Sequence, residues 1–153
     1  MSQLRFTSFV GALVLILACV EMAMAHTSGT AEEAKAMVAK AIAVFKEQGT
    51  EAFSAMNRSD GGFVDRDLYI FVIGPDNKVV AHAADPSRVG RDLLTTTDPD
   101  GKLIGPDIIE AATAEGGWVD YKWQNYLTGK VEPKSTWVVK ADGYIFGCGI
   151  HKP

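Results

Sequence analysis

Cysteine is scarce in this chain: Cys19 and Cys148 are the only two among 153 residues. A fold stapled by several disulfides is excluded, and a hydrophobic core must hold the protein together. Excess basic charge is missing too. Fifteen Lys and Arg stand against nineteen Asp and Glu, for a net charge of −4. Nucleic acid usually asks for a basic face, so it is not expected as a partner. The three histidines, His26, His82 and His151, show no local metal-ligand spacing. Nor is there a G-x-S-x-G elbow, an H-E-x-x-H, a phosphate-cradling glycine loop or a C-x-x-C. Nothing in the motifs points to catalysis, a resident metal or a cofactor. The apolar run Phe9–Val20 falls short of the roughly 20 residues that span a bilayer as a helix.

That run reads instead as the middle of an export signal. Arg5 supplies the positive start, and Ala23-Met24-Ala25 gives the small-x-small pattern of a cleavage site before His26. The expectation is a signal peptide over residues 1–25 and one domain over residues 26–153, released to the periplasm or secreted. Lipidation at Cys19 fits less well, because Leu17 is a poor residue two positions before a lipidated cysteine. Cleavage leaves Cys148 as the sole thiol and His26 as the first residue. The His26 amine and imidazole together could chelate copper, but leading residues are usually frayed and no metal ligand is assigned.

The chain as a whole has ordinary globular composition, 47% apolar and 22% charged, which argues against disorder and coiled coil. Ala34, Met37, Val38, Ala41, Ile42 and Phe45 repeat at helical spacing, predicting a long helix over Thr30 to Gln48. Thr30 and Glu33 form a capping box, and Gly49 stands where the helix would end. A short helix, Thr50 to Met56, stops at the turn cluster Asn57 to Gly62. From Asp67 the period changes to two. Leu68, Ile70 and Val72 alternate with Tyr69, Phe71 and Ile73, so both faces are apolar and the strand is central. Lys78 to Ala84 is its hairpin partner, and Asp85 to Leu94 a loop with one helical turn. Pro106 to Glu115 is a helix ended by Gly116-Gly117. Strands follow at Trp118 to Gln124, Ser135 to Ala141 and Tyr144 to Ile150. This order makes an α+β domain: a five-stranded antiparallel sheet with a long N-terminal helix.

The element order matches the PAS-like fold, and the residues narrow it. Tyr69-Ile-Phe-Val-Ile, Asp76-Asn-Lys-Val-Val-Ala-His82 and Val89-Gly90-Arg-Asp-Leu93 resemble single Cache domains of type 2. So do Gly116-Gly-Trp-Val-Asp-Tyr-Lys-Trp123, Thr128-Gly-Lys-Val-Glu-Pro-Lys134 and Asp142-Gly-Tyr-Ile-Phe-Gly-Cys-Gly-Ile150. The resemblance runs from about Thr30 to Ile150. It implies an extracytoplasmic sensor that binds a small organic acid or similar polar metabolite without catalysing its conversion. It also implies signal transduction or chemotaxis through a separate partner, a transmembrane histidine kinase or chemoreceptor. The chain departs from the family at Gln124-Asn125-Tyr126-Leu127, where a Pro-Asn-Pro turn is usual, and at Cys148, where serine is common.

In a PAS-like domain the ligand lies between one sheet face and the loops that cover it. Val119, Tyr121 and Trp123 share a face by the two-residue period, so Tyr121 and Trp123 are candidate pocket walls, or simply core. Lys134, at the start of the next strand, would offer an ammonium at the pocket rim to a carboxylate-like ligand, or stand in solvent. His82, expected on the face it shares with Val80 and Ala84, could donate to an acid and make binding pH-dependent near neutrality. Tyr69 and Phe71 are candidates for the pocket floor. Arg91 reads as a surface arginine and Cys148 as a small buried residue. The competing function is a ligand-free accessory module that docks on a membrane sensor.

Overall fold

The computed structural model describes residues 28–152, so the expected signal peptide, Cys19 and His26 lie outside the described residues. Helix α1 (Ala31–Gln48) forms where the periodicity placed it. The Thr30 side chain accepts from the Glu33 amide, and the Glu33 carboxylate accepts from the Thr30 amide. Gly49 ends the helix with φ near 62°, a region that favours glycine. A 3-10 turn then leads into α2 (Ala52–Met56). Strands β1 (Val64–Asp65), β2 (Leu68–Ile73) and β3 (Val79–His82) follow, then α3 (Gly105–Ala111). β4 (Gly117–Gln124), β5 (Val131–Ala141) and β6 (Tyr144–His151) complete the chain. Among the described residues no helix is long and apolar enough to cross a membrane.

All strand pairs are antiparallel, in the order β1-β2-β6-β5-β4, with β3 also pairing β2. The five expected strands are present. β1 is an addition: two residues folded back on β2, too short to show any period in sequence. β2 is buried along its whole length and paired on both sides, as its two apolar faces require. β5 begins at Val131 rather than Ser135. Pro133, which has no amide to donate to a ladder, is accommodated opposite Lys122 near the end of the sheet, beyond the paired part of β6. α3 stops at Ala111 rather than Glu115. Past it, the Thr113 carbonyl accepts from the Lys140 amide at 2.8 Å and from the Gly116 amide, so the chain is held by the sheet and not by the next helical turn.

The two sheet faces do different work. α1 packs against β6, β5 and β2. There Phe45 stacks with Phe53 and meets Tyr144 and Phe146, with ring centres 4.9 to 5.4 Å apart. Cys148 lies on this face too, its sulfur 3.7 Å from that of Met37. The opposite face carries Tyr69 and Phe71 from β2, Tyr121 and Trp123 from β4, and Lys134 and Thr136 from β5. β6 turns Gly147 and Gly149 to that face. A Cβ on Gly147 would overlap the Phe71 ring, and one on Gly149 would overlap the Lys134 stem and the Thr136 hydroxyl. Alternate glycines thus clear the volume into which large side chains from β2 and β5 fold.

Gly147→Ala is therefore expected to cost about 1–3 kcal/mol by overpacking, read as a lower urea midpoint at unchanged m-value. Adding Phe71→Leu, which removes the clashing ring, should recover part of that loss. Strictly additive effects of the two substitutions would count against this packing account.

Candidate functional site

Above that second face, the chain from Asp85 to Ile108 closes over the sheet and leaves a small cavity of about 50 Å³. At about 10–15 Å³ per water, this is room for roughly four or five small atoms. Its walls divide by chemistry. Phe71, Ile73, Val79, Leu93, Ile104 and Ile108 make an apolar share, while Tyr69, His82, Tyr121, Arg88, Arg91 and Thr96 bring polar groups. Among the described lining residues none is acidic. A wider polar recess adjoins it and shares Arg88, Arg91, Thr96 and Trp123.

Four of the five residues singled out in sequence, Tyr69, His82, Tyr121 and Trp123, meet in this cavity. The fifth, Lys134, does not stand at the rim. It lies inside β5, opposite Tyr121 on β4 and His151 on β6, and is 1% exposed. Gly149 leaves space for its stem, which carries the ammonium beneath Tyr69. Nζ donates to the Tyr69 hydroxyl at 2.7 Å and lies 4.0 Å from the ring centre. No carboxylate among the described residues comes within ion-pair distance of it, and burial holds it below the ordinary lysine range. Lys134 thus acts on the cavity through the Tyr69 phenol. Burial raises the titration of both Tyr69 and Tyr121, so each keeps its proton; the Tyr121 hydroxyl is 2.7 Å from that of Thr136.

His82 reaches the cavity by an irregularity. Ile73 pairs with Val79 but Val72 with Ala81, so Val80 is an extra residue in β3. Val79 and His82 consequently line the cavity together, and the strict alternation that grouped His82 with Val80 and Ala84 does not hold. His82 Nδ1 accepts from the Asp85 amide at 3.0 Å, which leaves the proton of the neutral ring on Nε2. Burial, then the positive Arg88 and Lys134, lower its pKa to about 3. The pH dependence near neutrality expected from this histidine is therefore absent from its environment.

Arg88 was not singled out in sequence, although its spacing from Asp85 is a usable signal. Asp85 opens the 3-10 turn Pro86–Arg88 and accepts from the Ser87 amide, while Arg88 pairs back to it at 3.1 Å. From there the guanidinium covers the Trp123 ring at 4.9 Å and joins the loop to β4. Arg91, read as a surface residue, is exposed but borders both recesses. Cys148 is buried on the helix face, where burial lifts its thiol to about 12 and keeps it protonated. Near Lys134, both ring nitrogens of His151 are buried without a hydrogen bond, Glu132 lying 3.8 Å away. No cluster of three metal-binding side chains occurs among the described residues.

Residues 3–149 match the family described as Single Cache domain 2. The sensor histidine kinase MctS of Rhizobium johnstonii (strain DSM 114642 / LMG 32736 / 3841) is 35% identical over 88 residues, which are 56% of this chain and 19% of the kinase. The chain thus spans about a fifth of that relative's length. Among solved structures, a methyl-accepting chemotaxis protein from Vibrio parahaemolyticus RIMD 2210633 superposes with a TM-score of 0.65 at 19% identity. That match covers 78% of this chain and 86% of the other. A Cache chemosensory domain, described by its carboxylic acid recognition, gives 0.64 at 18% identity over 80% of this chain and 92% of that one. The periplasmic sensor domain of a chemotaxis protein gives 0.59 at 24% identity, covering 80% and 90%. These likenesses confirm the α+β sensor fold.

The histidine environments set a pH dependence of stability. Unfolded histidines take up protons near pH 6.5, whereas His82 does so near 3 and His151 near 4 when folded. Below pH 6.5 the unfolded state binds more protons, so stability falls as the pH drops from about 6.5 toward 4. Urea unfolding at pH 7, 6 and 5 should show that decline, and His82→Gln should make it shallower. A slope unchanged by His82→Gln, or a His82 ring that titrates between pH 5 and 8 by NMR, would contradict this assignment.

Proposed function

This chain belongs to the single Cache domain 2 family, and on that premise we propose that it is a periplasmic sensor for a small carboxylate with a short apolar tail. Cache domains of this kind are ligand-binding sensory modules, related to the input domains of histidine kinases and chemoreceptors. The observation that carries the ligand class is the make-up of the cavity. Arg88, Arg91, His82 Nε2–H and the phenols of Tyr69 and Tyr121 are donors, and no acid lines the space. An anion that only accepts hydrogen bonds complements such a set, and an amine does not. The buried ammonium behind Tyr69 adds to the demand for negative charge.

Size narrows the class. A volume of about 50 Å³ suits acids of two or three carbons and makes a four-carbon acid the tightest fit, the tail lying against Phe71, Ile73, Leu93 and Ile108. The neighbour described by its carboxylic acid recognition has the same fold, which fits this reading without deciding it. Export through the segment before the domain would place the site where environmental acids are met. Since the match covers only 19% of the MctS relative, the output belongs to the proposal too. Occupancy would be passed to a transmembrane histidine kinase or chemoreceptor.

A thermal-shift and calorimetry series on the full chain tests the ligand class. Acetate, propionate and butyrate are compared at constant ionic strength with their amides and with the matching amines. A ligand at about ten times its Kd adds about 1.4 kcal/mol, a rise in Tm of roughly 3–6 °C. The acids should give such a shift, the amides and amines none. Arg88→Ala and Tyr69→Phe should each weaken binding about tenfold or more. A folded protein indifferent to every acid would sink the proposal and favour the ligand-free docking module.

A further inference from the structure

β3 pairs with β2 along one side; on its other edge Val79 exchanges backbone hydrogen bonds with Gly90 and Arg91, and past Val79 that edge faces the end of α2. Asn57 caps that helix and reaches across. Its Nδ2 donates to the Val80 carbonyl at 3.1 Å, and its Oδ1 accepts from the His82 amide at 3.0 Å. These two backbone groups flank Ala81. A neighbouring parallel strand would engage the same two groups through the N–H and C=O of a single residue. One side-chain amide thus continues the edge pairing where the Gly90–Arg91 segment stops.

The place where it does so matters for the cavity. Val80 is the extra residue of the bulge, and His82 is the residue the bulge delivers. If β3 ran without the bulge in the register of Ile73 with Val79, Ala81 and not His82 would stand opposite Phe71. A shift of one residue turns every side chain to the other face. Asn57 holds the carbonyl of the extra residue and the amide of the delivered one, which ties the bulge in place. Beyond it, the Asp85 amide occupies His82 Nδ1. The ring lies 4.8 Å from that of Tyr69, and Nε2 has no hydrogen-bond partner among the described residues.

We infer that Asn57 is a positioning residue for the ligand site, which closes the edge of β3 from Val80 to His82 across its bulge and holds His82 as a fixed Nε2–H donor in the cavity wall. Its consequence for ligand choice rests on the carboxylate reading, whereas its effect on the His82 tautomer does not. Asn57 lines neither recess, so its influence on binding runs through His82.

The test uses the ¹⁵N-labelled full chain at pH 7, with propionate as the probe. In the wild type, His82 should show one tautomer with bare Nδ1 and protonated Nε2. Asn57→Ala should mix the two tautomers and weaken propionate about tenfold, the equivalent of losing two ordinary hydrogen bonds. His82→Ala combined with Asn57→Ala should bind no more weakly than His82→Ala alone. Ala52→Gly, which weakens the same helix away from β3, controls for lost stability and should change neither readout. Where Asn57→Ala does not fold, Asn57→Asp keeps the acceptor for the His82 amide and loses the donor to Val80. It should then give an intermediate tautomer mixture. An unchanged single tautomer in the folded variant overturns the inference, as does an Asn57→Ala effect on propionate that persists without His82. If the wild type binds no carboxylate, the ligand reading fails, and the tautomer comparison alone decides the role of Asn57.

Discussion

A buried ammonium without a carboxylate sets the terms for the ligand face of this domain. Lys134 sits under the sheet's covering layer with the Tyr69 hydroxyl and ring as its nearest polar company. Such a charge is costly to bury, and the protein reduces that cost with a phenol, an aromatic face and the more distant Asp67 rather than with an ion pair. The same charge helps to hold His82 and His151 neutral and leaves the cavity with unmatched positive potential. At the adjoining recess stand Arg88, ion-paired to Asp85, and Arg91, with Asp92 also in its lining. One placement in β5 therefore bears on the protonation of its neighbours and on the sign of the charge the cavity can take.

The remainder of the fold serves that face by relieving it of structural duty. Phe45, Phe53, Tyr144 and Phe146 fill the helix side of the sheet, where packing is aromatic and continuous. The opposite side is left with alternate glycines in β6, a cavity, and a lysine in place of a hydrocarbon. The two ends of the described domain meet beside that face. The buried Asp67 carboxylate accepts from the Gly29 amide before α1 and from the His151 amide at the end of β6. Asp67 stands two residues before Tyr69, so chain entry, chain exit and cavity wall share one end of β2.

Much of this was legible in the sequence, because long elements repeat a physical pattern many times over. The Thr30–Glu33 box and the apolar stripe through Phe45 required α1, and six apolar residues in a row required a strand paired on both sides. Period two on β4 brought Tyr121 and Trp123 to one face without further help. Readings that rested on a single residue went differently. A bulge shifts the face of β3 by one residue and leaves no trace in composition, so His82 reached the right cavity beside the wrong neighbour, Val79 and not Val80. Lys134 read as an ammonium at the pocket rim or in solvent, because lysines are seldom buried. Its burial depends on Gly149, a contact between separate strands that no local window contains. Arg88 depends likewise on Trp123, distant in sequence.

Lys134 also bears on the choice between a sensor and a module that only docks. A docking domain needs a stable sheet and an outer surface, and nothing in the fold requires an ammonium at position 134. Methionine would occupy nearly the same space with no desolvation cost and with the ring contact to Tyr69 retained. The alternate glycines of β6 go with the side chains that fold over them, Gly149 clearing space for the Lys134 stem and Gly147 for the Phe71 ring. The buried lysine weakens the protein as a scaffold, and a bound anion above Tyr69 is the use that the carboxylate reading gives it. Local rules broken at one place, on a chain that keeps them elsewhere, are the ordinary mark of a site that binds. The arrangement of Lys134, Tyr69 and the two arginines thus weighs toward a domain that waits for an anion.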